Sequence, residues 1–560
     1  WFRRAADAGD TQAYVHVGSI YSDGRGVVKD DKLALSWYQK AADQNEMAGL
    51  VAVAKCYRFG RGVKQNDREA LRYFYLAEGQ GSIDAQFYIG HAFEFGHGVE
   101  QNIDTSLKWY RLAAQNNSPH AQHFLGLMYK LGHGVAQDYE KAVHWFELAA
   151  QQEDIAALNA LARMYIDGVG VKQNSREALN LFELAASQGN AVAQYEVGRI
   201  FEYGQGVEQN LSRAVESYYQ AARQGHIVAQ NLLGLMFAAG DGVDQDLAQA
   251  AKWLGRSASQ GYVHAQHSLG LMYELGEGVE QSLDDAKKWY SLASDNGDPD
   301  AQYSLGRLYQ NGLGVRKNDT IAKKWFVASG RQGNVDAQNA LGLMFETGSG
   351  VTRDIEKAIL WYRRAAEQGH SNAQFFIGLM YKVGQGYEQD YSQAMNWLLS
   401  SAKQGHIESQ TTIASMFEQG QGSAQDGKQA VKWYTRAANL GNVIAQRSLG
   451  VLYYQGVNVN QDYARALSWF MKAAEQSDAF SQSTLGQMYL AGEGVAKNRE
   501  QAIAWLQLAA DQGYSKAQNT LGLIYAADLK RNKENAKNWF AKSCTNGLFE
   551  SCGKYRSILD

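Results

Sequence analysis

Proline is nearly absent from this chain of 560 residues, which contains only 2. No Pro-rich linker divides it, and no Ser/Gly-only or single-charge run does so either. A chain of this length would ordinarily split into three or four domains of roughly 150 residues, and the missing linkers argue against that split. Net charge is also lacking: 54 basic side chains face 58 acidic ones, a balance of −4. That excludes a strongly basic nucleic-acid binder and gives no electrostatic pull toward an anionic membrane. No apolar run approaches the ~18 residues of a membrane span. The chain opens at Trp1, inside the pattern described next, with neither a methionine nor a signal peptide, and so reads as a piece of something longer. Cysteine is scarce at 3, whereas hydrophobic residues at 45% are ample for a core and glycine is abundant at 57.

The abundant residues keep time. Trp1, Trp37, Trp109, Trp145, Trp253 and every later tryptophan to Trp505 are spaced by multiples of 36, with Tyr73, Leu181 and Ser217 in the skipped slots. Trp539 falls two residues early, marking one deletion near the end. One glycine series runs without a gap from Gly24 to Gly492; a second, two residues on, runs from Gly26 to Gly494 with Asn458 its only exception. A third runs from Gly18 to Gly522, replaced only by Ala54, Ala162 and Ala414, and a fourth includes Gly9, Gly81, Gly189, Gly225 and Gly547. Together these four series hold 51 of the 57 glycines, so glycine here is punctuation. A strict period of this length signals a solenoid built from stacked supersecondary units.

One unit shows the content. Ala121, Phe124, Leu125, Met128 and Tyr129 recur at the helical period. Gly132-His133-Gly134-Val135 then interrupts with residues that can take positive φ, and Ala142, Trp145, Phe146 and Ala149 open a second helical pattern. Ser118-Pro119 and Asp298-Pro299 share one slot, N-cap then first helical residue. The third glycine lies inside the first helix, where it costs about 1 kcal/mol against Ala; its recurrence implies a helix–helix approach too close for a larger side chain. The expected fold is all-α, a solenoid of about fifteen 36-residue helix–turn–helix repeats. It forms a single array over 1–560: a leading half-repeat at 1–11, repeats over 12–546 and a terminal cap at 529–560.

The string A-x-A-Q-x-x-L-G-x-M-Y-x-x-G-x-G-V-x-x-D, then A-x-x-W-Y-x-x-A-A-x-Q-G, resembles the SEL-one-like repeat family, a relative of tetratricopeptide repeats with a longer glycine turn. Residues 337–369 carry it almost whole, from Ala337-Gln338 and Leu341-Gly342 through Gly348, Gly350 and Asp354 to Trp361-Tyr362 and Gln368-Gly369. The resemblance covers essentially the whole chain. It implies a right-handed superhelix that scaffolds other macromolecules, as in adaptors of degradation complexes and in many secreted or periplasmic bacterial proteins, some concerned with host contact or the cell wall.

Cys56 reads as a core thiol. Cys544 and Cys552 flank the turn between a second helix and the next first helix, in slots that hold other residues elsewhere. A helix–turn–helix would set them on facing walls, near the roughly 5.5–6 Å Cα separation of a disulfide, and their spacing resembles that of cysteine-rich secreted members of the family. The expectation is a disulfide-stapled cap and a periplasmic or secreted protein; two free thiols in a cytoplasmic protein is the alternative.

Chemistry is sparse. The G-x-G turns lack the preceding strand that a dinucleotide site requires. His120 and His123 lie three apart on one helix, as do His264 and His267, and His91 could join the first pair, but no Cys accompanies them and no carboxylate recurs beside them as an orienting partner. No catalytic residue, metal ligand or cofactor is expected, because a nucleophile–base constellation would break the repeat and the frame is unbroken. Partner contacts are expected on the concave face lined by first helices. There the residue three before the interior glycine gives Phe87, His123, Asn159, Tyr195, Asn231, His267, Tyr303, Asn339 and Phe375, a ladder of aromatic, His and Asn side chains suited to anchoring a partner. The bland alternative is that its aromatics pack against neighbouring helices. The slot four after the glycine leans acidic, through Glu94, Glu202, Glu274 and Glu346, and would prefer a basic or neutral segment. The tryptophans, in their strict slot, are expected to serve the core. The reading is a non-enzymatic scaffold for a protein partner in the bacterial envelope or in host contact. The alternatives are a glycan- or peptidoglycan-binding envelope factor and an intracellular adaptor of a degradation or signalling complex.

Overall fold

The computed structural model describes residues 1–457 and 459–559; Asn458, the gap in the second glycine series, and Asp560 lie outside the described residues. Among the described residues there are thirty-two helices and no strand, so the fold is the all-α, α/α solenoid that the period requires. The helices fall into two compact units, Trp1–Ser282 and Leu283–Asp560. In the first, a short helix, Phe2–Asp7, precedes seven pairs, from Thr11–Asp23 with Asp31–Asp43 to Ile227–Ala239 with Leu247–Ser259, and a further first helix, Val263–Leu275. The second opens on Leu283–Asp295, continues through seven pairs, from Pro299–Asn311 with Asp319–Arg331 to Ser515–Ala526 with Leu529–Thr545, and closes on Phe549–Leu559.

Local chemistry sets the helix ends. Second helices begin on Asp or Asn caps, such as Asp138, whose carboxylate accepts the Lys141 N–H, with Glu140 in the first turn. Ser118 and Asp298 cap first helices with proline behind them, as their sequence slot predicts. Every glycine from Gly24 to Gly492 in the first series ends its helix at positive φ. The fourth series marks the other turn, and its non-glycine occupants Asn45, Asn117, Glu153 and Ser477 all keep positive φ, so the backbone there is fixed by the fold and not by the residue.

Packing explains the two remaining glycine series. A Cβ on Gly98 would stand 2.5 Å from the Asp67 carbonyl oxygen of the preceding repeat, so the second glycine of the turn lets one repeat seat on the last. A Cβ on Gly126 would meet the Phe146 ring at 2.6 Å, so the interior glycine makes room for the residue after the tryptophan. That residue is the centre of each core: Tyr110, Phe146, Phe182, Tyr218, Phe326 and Tyr362 are all fully buried. The tryptophans roof it. Trp37, Trp253, Trp361 and Trp433 are buried, the others are half-buried apart from the exposed Trp1, and basic side chains lie across several of the rings, as Arg256 does over Trp253 at 4.5 Å.

Neighbouring repeats are clasped by amides. Gln122, only 2% exposed, donates to the Ala114 carbonyl at 3.1 Å and accepts from Gln152 Nε2 at 2.8 Å. The same two bonds recur at Gln338, with Gly330 and Gln368. Where leucine replaces the buried glutamine, at Leu50 and Leu158, the donors Gln80 and Gln188 turn to the carbonyls of the positive-φ residues Asn45 and Glu153. At the C-terminal end Cys544 and Cys552 form a disulfide, Cα to Cα 4.9 Å, tying the last helix to its predecessor. Cys56 is buried, and burial pushes its thiol up to about 11.

Candidate functional site

The ladder of the first helices lies along the seam between successive repeats. Phe87 and Asn231 are buried, and His123, Asn159, Tyr195, Tyr303, Asn339 and Phe375 are half-buried, as is His267. Tyr195 stacks on His226 at 4.6 Å, Phe375 meets His406 at 4.8 Å, and Asn159 Nδ2 donates to Asn190 Oδ1 at 3.2 Å. Each of these partners caps the next first helix. The amide oxygens of Asn159, Asn231 and Asn339, with Nδ1 of His123, are buried without a hydrogen-bond partner among the described residues.

The acidic slot has internal work. Glu94 accepts the Tyr110 hydroxyl at 2.6 Å, Glu346 that of Tyr362 at 2.7 Å and Glu418 that of Tyr434 at 2.8 Å. Burial, reinforced by the adjacent glutamate, holds these phenols far above their usual range. These carboxylates are therefore engaged with the core tyrosines.

At 3.6 residues per turn the ladder slots stand only about 40–60° around the helix from a glycine that faces the second helix, which puts them in the seam. Positions roughly 100–160° away point from the second helix: on one helix Asp84 and Phe95 are exposed with Tyr88 and His91 half-buried between them, and on another Leu235 and Ala239 are exposed with Val228 and Leu232 half-buried. The helical wheel drawn from the glycine contained this stripe, and the glycine's contact with the second helix is the signal that would have oriented it.

The histidines divide by environment. His120 Nδ1 lies 3.0 Å from Asp154 Oδ2, a carboxylate partner that sequence spacing missed because Asp154 caps the following helix. That bond raises the His120 pKa. His91 meets Phe95 in a tilted contact at 4.6 Å and stacks on His97 at 5.8 Å; burial, with Arg58 and His97 beside it, lowers its pKa to about 4. One cluster imitates a catalytic triad. His406 Nδ1 is 2.9 Å from Ser409 Oγ, and its Nε2 is 3.5 Å from Glu408. Ser409, however, is 0% exposed, and its hydroxyl donates to Ser401 Oγ at 2.7 Å, while His406 Nδ1 accepts the Ser409 N–H as a helix cap. A hydroxyl sealed from solvent cannot attack a substrate, so this cluster is a packed cap.

No helix among the described residues is long and apolar enough to cross a membrane. The Sel1 repeat family matches the chain in sixteen successive segments, from 1–10 and 11–46 to 515–548. Among solved structures, a protective antigen of uropathogenic Escherichia coli that displays an SLR fold is 32% identical. The match covers 80% of this chain and 97% of that one, with a TM-score of 0.69. A Sel1 repeat protein from Oxalobacter formigenes is 33% identical over 55% of this chain and 90% of its own, with a TM-score of 0.42. No curated protein matches.

Proposed function

Because this chain belongs to the Sel1 repeat family, we propose that it is a non-enzymatic scaffold that holds a protein partner on the face formed by its first helices, in the bacterial envelope or in contact with a host. Sel1 repeat proteins are generally protein-interaction scaffolds. One observation carries the reading to that face. The recurring residues are consumed inside the array, glycines in turns and close approaches, amides in clasps and glutamates on buried tyrosines, whereas the solvent-facing stripe changes from repeat to repeat. A surface whose residues are released from holding the fold is where recognition can vary. The half-buried ladder residues His123, Tyr195, Tyr303 and Phe375 edge that face and contribute through their exposed rims.

The test is affinity capture by the full chain, followed by calorimetry with the purified partner. Arg163→Glu and Leu235→Asp on the first-helix stripe should weaken binding at least tenfold, while a second-helix change such as Glu140→Lys leaves it intact. Binding indifferent to every first-helix substitution, or chemical turnover of the bound molecule, would defeat the proposal.

The Cys544–Cys552 disulfide supports an oxidising compartment, and so a periplasmic or secreted location over an intracellular adaptor. Likeness to a protective antigen supports the same direction. Intact mass of protein from its native cell, with thiols alkylated before and after reduction, decides the point: two free thiols would move the scaffold to the cytoplasm.

A further inference from the structure

The first-helix stripe is uneven in a way that selects one stretch of the first unit. The last residue of the first helix is Phe59, Phe95 and Leu131 in three successive repeats, exposed by 50%, 51% and 69%. The same slot is large, apolar and exposed singly at Tyr203, Leu275 and Val383, but in no other three successive repeats, and in the second unit it holds Asn311, Thr347, Gln419 and Gln455. A second slot diverges in the same place. Between the two glycines of the turn stand Arg25, Arg61, His97 and His133 in the first four turns. In the ten later turns no Arg, Lys or His occupies it, and Asp241, Glu277 and Glu493 do. An apolar ridge and a basic edge therefore coincide, each judged against the chain's own other repeats.

The structure brings these slots into one surface. Between the first helices Met47–Phe59 and Ile83–Phe95 lies a groove of about 500 Å³, lined by Met47, Ala48, Val51, Ala52 and Ile83. The two alanines, where larger side chains could stand, leave it open. A volume in the range of about 300–1,000 Å³ accepts a small number of large side chains. Lys55, which with Asp84 also lines the groove, reaches the aromatic surface beside it, its Nζ 5.1 Å from the Tyr88 ring centre, and Arg58 and Arg61 each stand 5.6 Å from that of Phe59. Two nearby carboxylates are ion-paired, Asp84 with Lys55 at 3.0 Å and Asp67 with Arg58 at 3.3 Å, and Glu94 is turned inward to accept the Tyr110 hydroxyl. Arg61 forms no ion pair among the described residues. The surface is thus apolar, with an unmatched positive charge laid directly on it.

Resting on the scaffold reading, we propose that the wall formed by the helices Met47–Phe59, Ile83–Phe95 and Pro119–Leu131 docks an acidic segment of the partner protein that carries aromatic or aliphatic anchors. The anchors fill the groove beside Ala48 and Ala52 and cover Phe59, Phe95 and Leu131; the carboxylates meet Arg61 and compete with Asp84 for Lys55. Charge complementarity chooses this occupant. A basic segment would be repelled by the unpaired Arg61, and a polar one would leave the ridge in water.

A display library of random 16-residue peptides, selected against the immobilised full chain, tests this directly. Enriched peptides should carry net negative charge with at least two large apolar residues, and should bind at least tenfold more weakly to Arg61→Glu, Phe95→Asp and the groove-filling Ala48→Trp. Gln455→Asp, in the slot of Phe95 but in the second unit, should leave binding unchanged. All four positions lie on the surface, and unchanged thermal unfolding certifies each fold. Enrichment of basic or uncharged peptides, no enrichment at all, or equal binding by the variants overturns the proposal. So does self-association of the chain that the same variants abolish, which would make a second copy the occupant. If the native partner is captured and these variants still hold it, the docking site falls while the scaffold stands. If the chain binds no protein, both fall.

Discussion

Within each unit, a tyrosine in the slot after the tryptophan is matched by glutamate sixteen residues earlier, as in Tyr110 with Glu94, Tyr218 with Glu202, Tyr362 with Glu346 and Tyr434 with Glu418. At Tyr38 the residue sixteen earlier is Ser22 instead. Where the slot holds phenylalanine the earlier residue changes too, to Lys130 before Phe146 and Gln310 before Phe326. The physical reason is that a phenol sealed in the core must find an acceptor, and a benzene ring must not face a carboxylate. Glu346→Ala should therefore cost about 1–3 kcal/mol by orphaning the Tyr362 hydroxyl. The pair Tyr362→Phe with Glu346→Gln, which copies the preceding repeat, should cost less than the sum of its single changes. Urea unfolding of the four proteins measures the coupling, and strict additivity would show that the two residues do not act together. His91 titrates against the fold. Its folded pKa of about 4 lies below the ordinary 6.5, so the unfolded chain takes up a proton that the folded chain refuses. The His91 contribution is complete above pH 6.5 and is lost as the pH falls toward 4. The drop in melting temperature between pH 7 and pH 4.5 should be smaller in His91→Phe than in the parent, and equal drops would show that His91 does not titrate this way.

At the scale of the helix pair, the clasp decides how firmly one repeat holds the next. Gln410 donates to the Ala402 carbonyl at 3.1 Å but its own Oε1 is buried without a partner, because Leu440 occupies the slot from which glutamine reaches back elsewhere. Leu440 is exposed, so replacing it removes little apolar burial. Leu440→Gln should raise stability by about 1 kcal/mol, seen as a higher urea midpoint; no change would mean that Gln410 is already satisfied by water. Helices, turns and caps were legible because each rests on local chemistry that recurs: an Asp or Asn before every second helix from Asp31–Asp43 onward but Leu283–Asp295, and a glycine after every first helix from Thr11–Asp23 to Ala479–Ala491. The clasp was not legible, although its glutamines stood in the motif, because one glutamine looks like any other until two helices 30 residues apart are brought together. The proposed recognition face was legible only in part. Counting along the helix found a ladder, but which side of the helix it lies on depended on knowing that Gly126 faces Phe146.

For the whole molecule, the internal alignment of repeats separates what holds the array from what distinguishes one repeat from another, and it makes the period itself a physical quantity that can be tested. Removing residues 335–370 takes out one unit of 36 residues. In the shortened chain Asn334 would take the N-cap place of His370 before Ser371, and Gln374 would find the Gly330 carbonyl where it now bonds to that of Ala366. Gln332 would keep its bond to Gln302, and Gln404 its bond to Gln374. Every joint on both sides then re-forms from residues already suited to it, as nearest-neighbour stacking requires. The deletion should yield a folded protein whose helical circular dichroism falls in proportion to the 36 of 560 residues lost, with a melting temperature within a few degrees of the parent. A deletion of 30 residues from the same start would bring the seam of one helix against the stripe of another and should abolish cooperative unfolding. If both deletions fold equally well, register is not what holds these helices together. If only the in-frame deletion folds and it still binds the acidic peptides selected by the parent, then recognition resides in particular repeats and the remainder of the array serves to hold them.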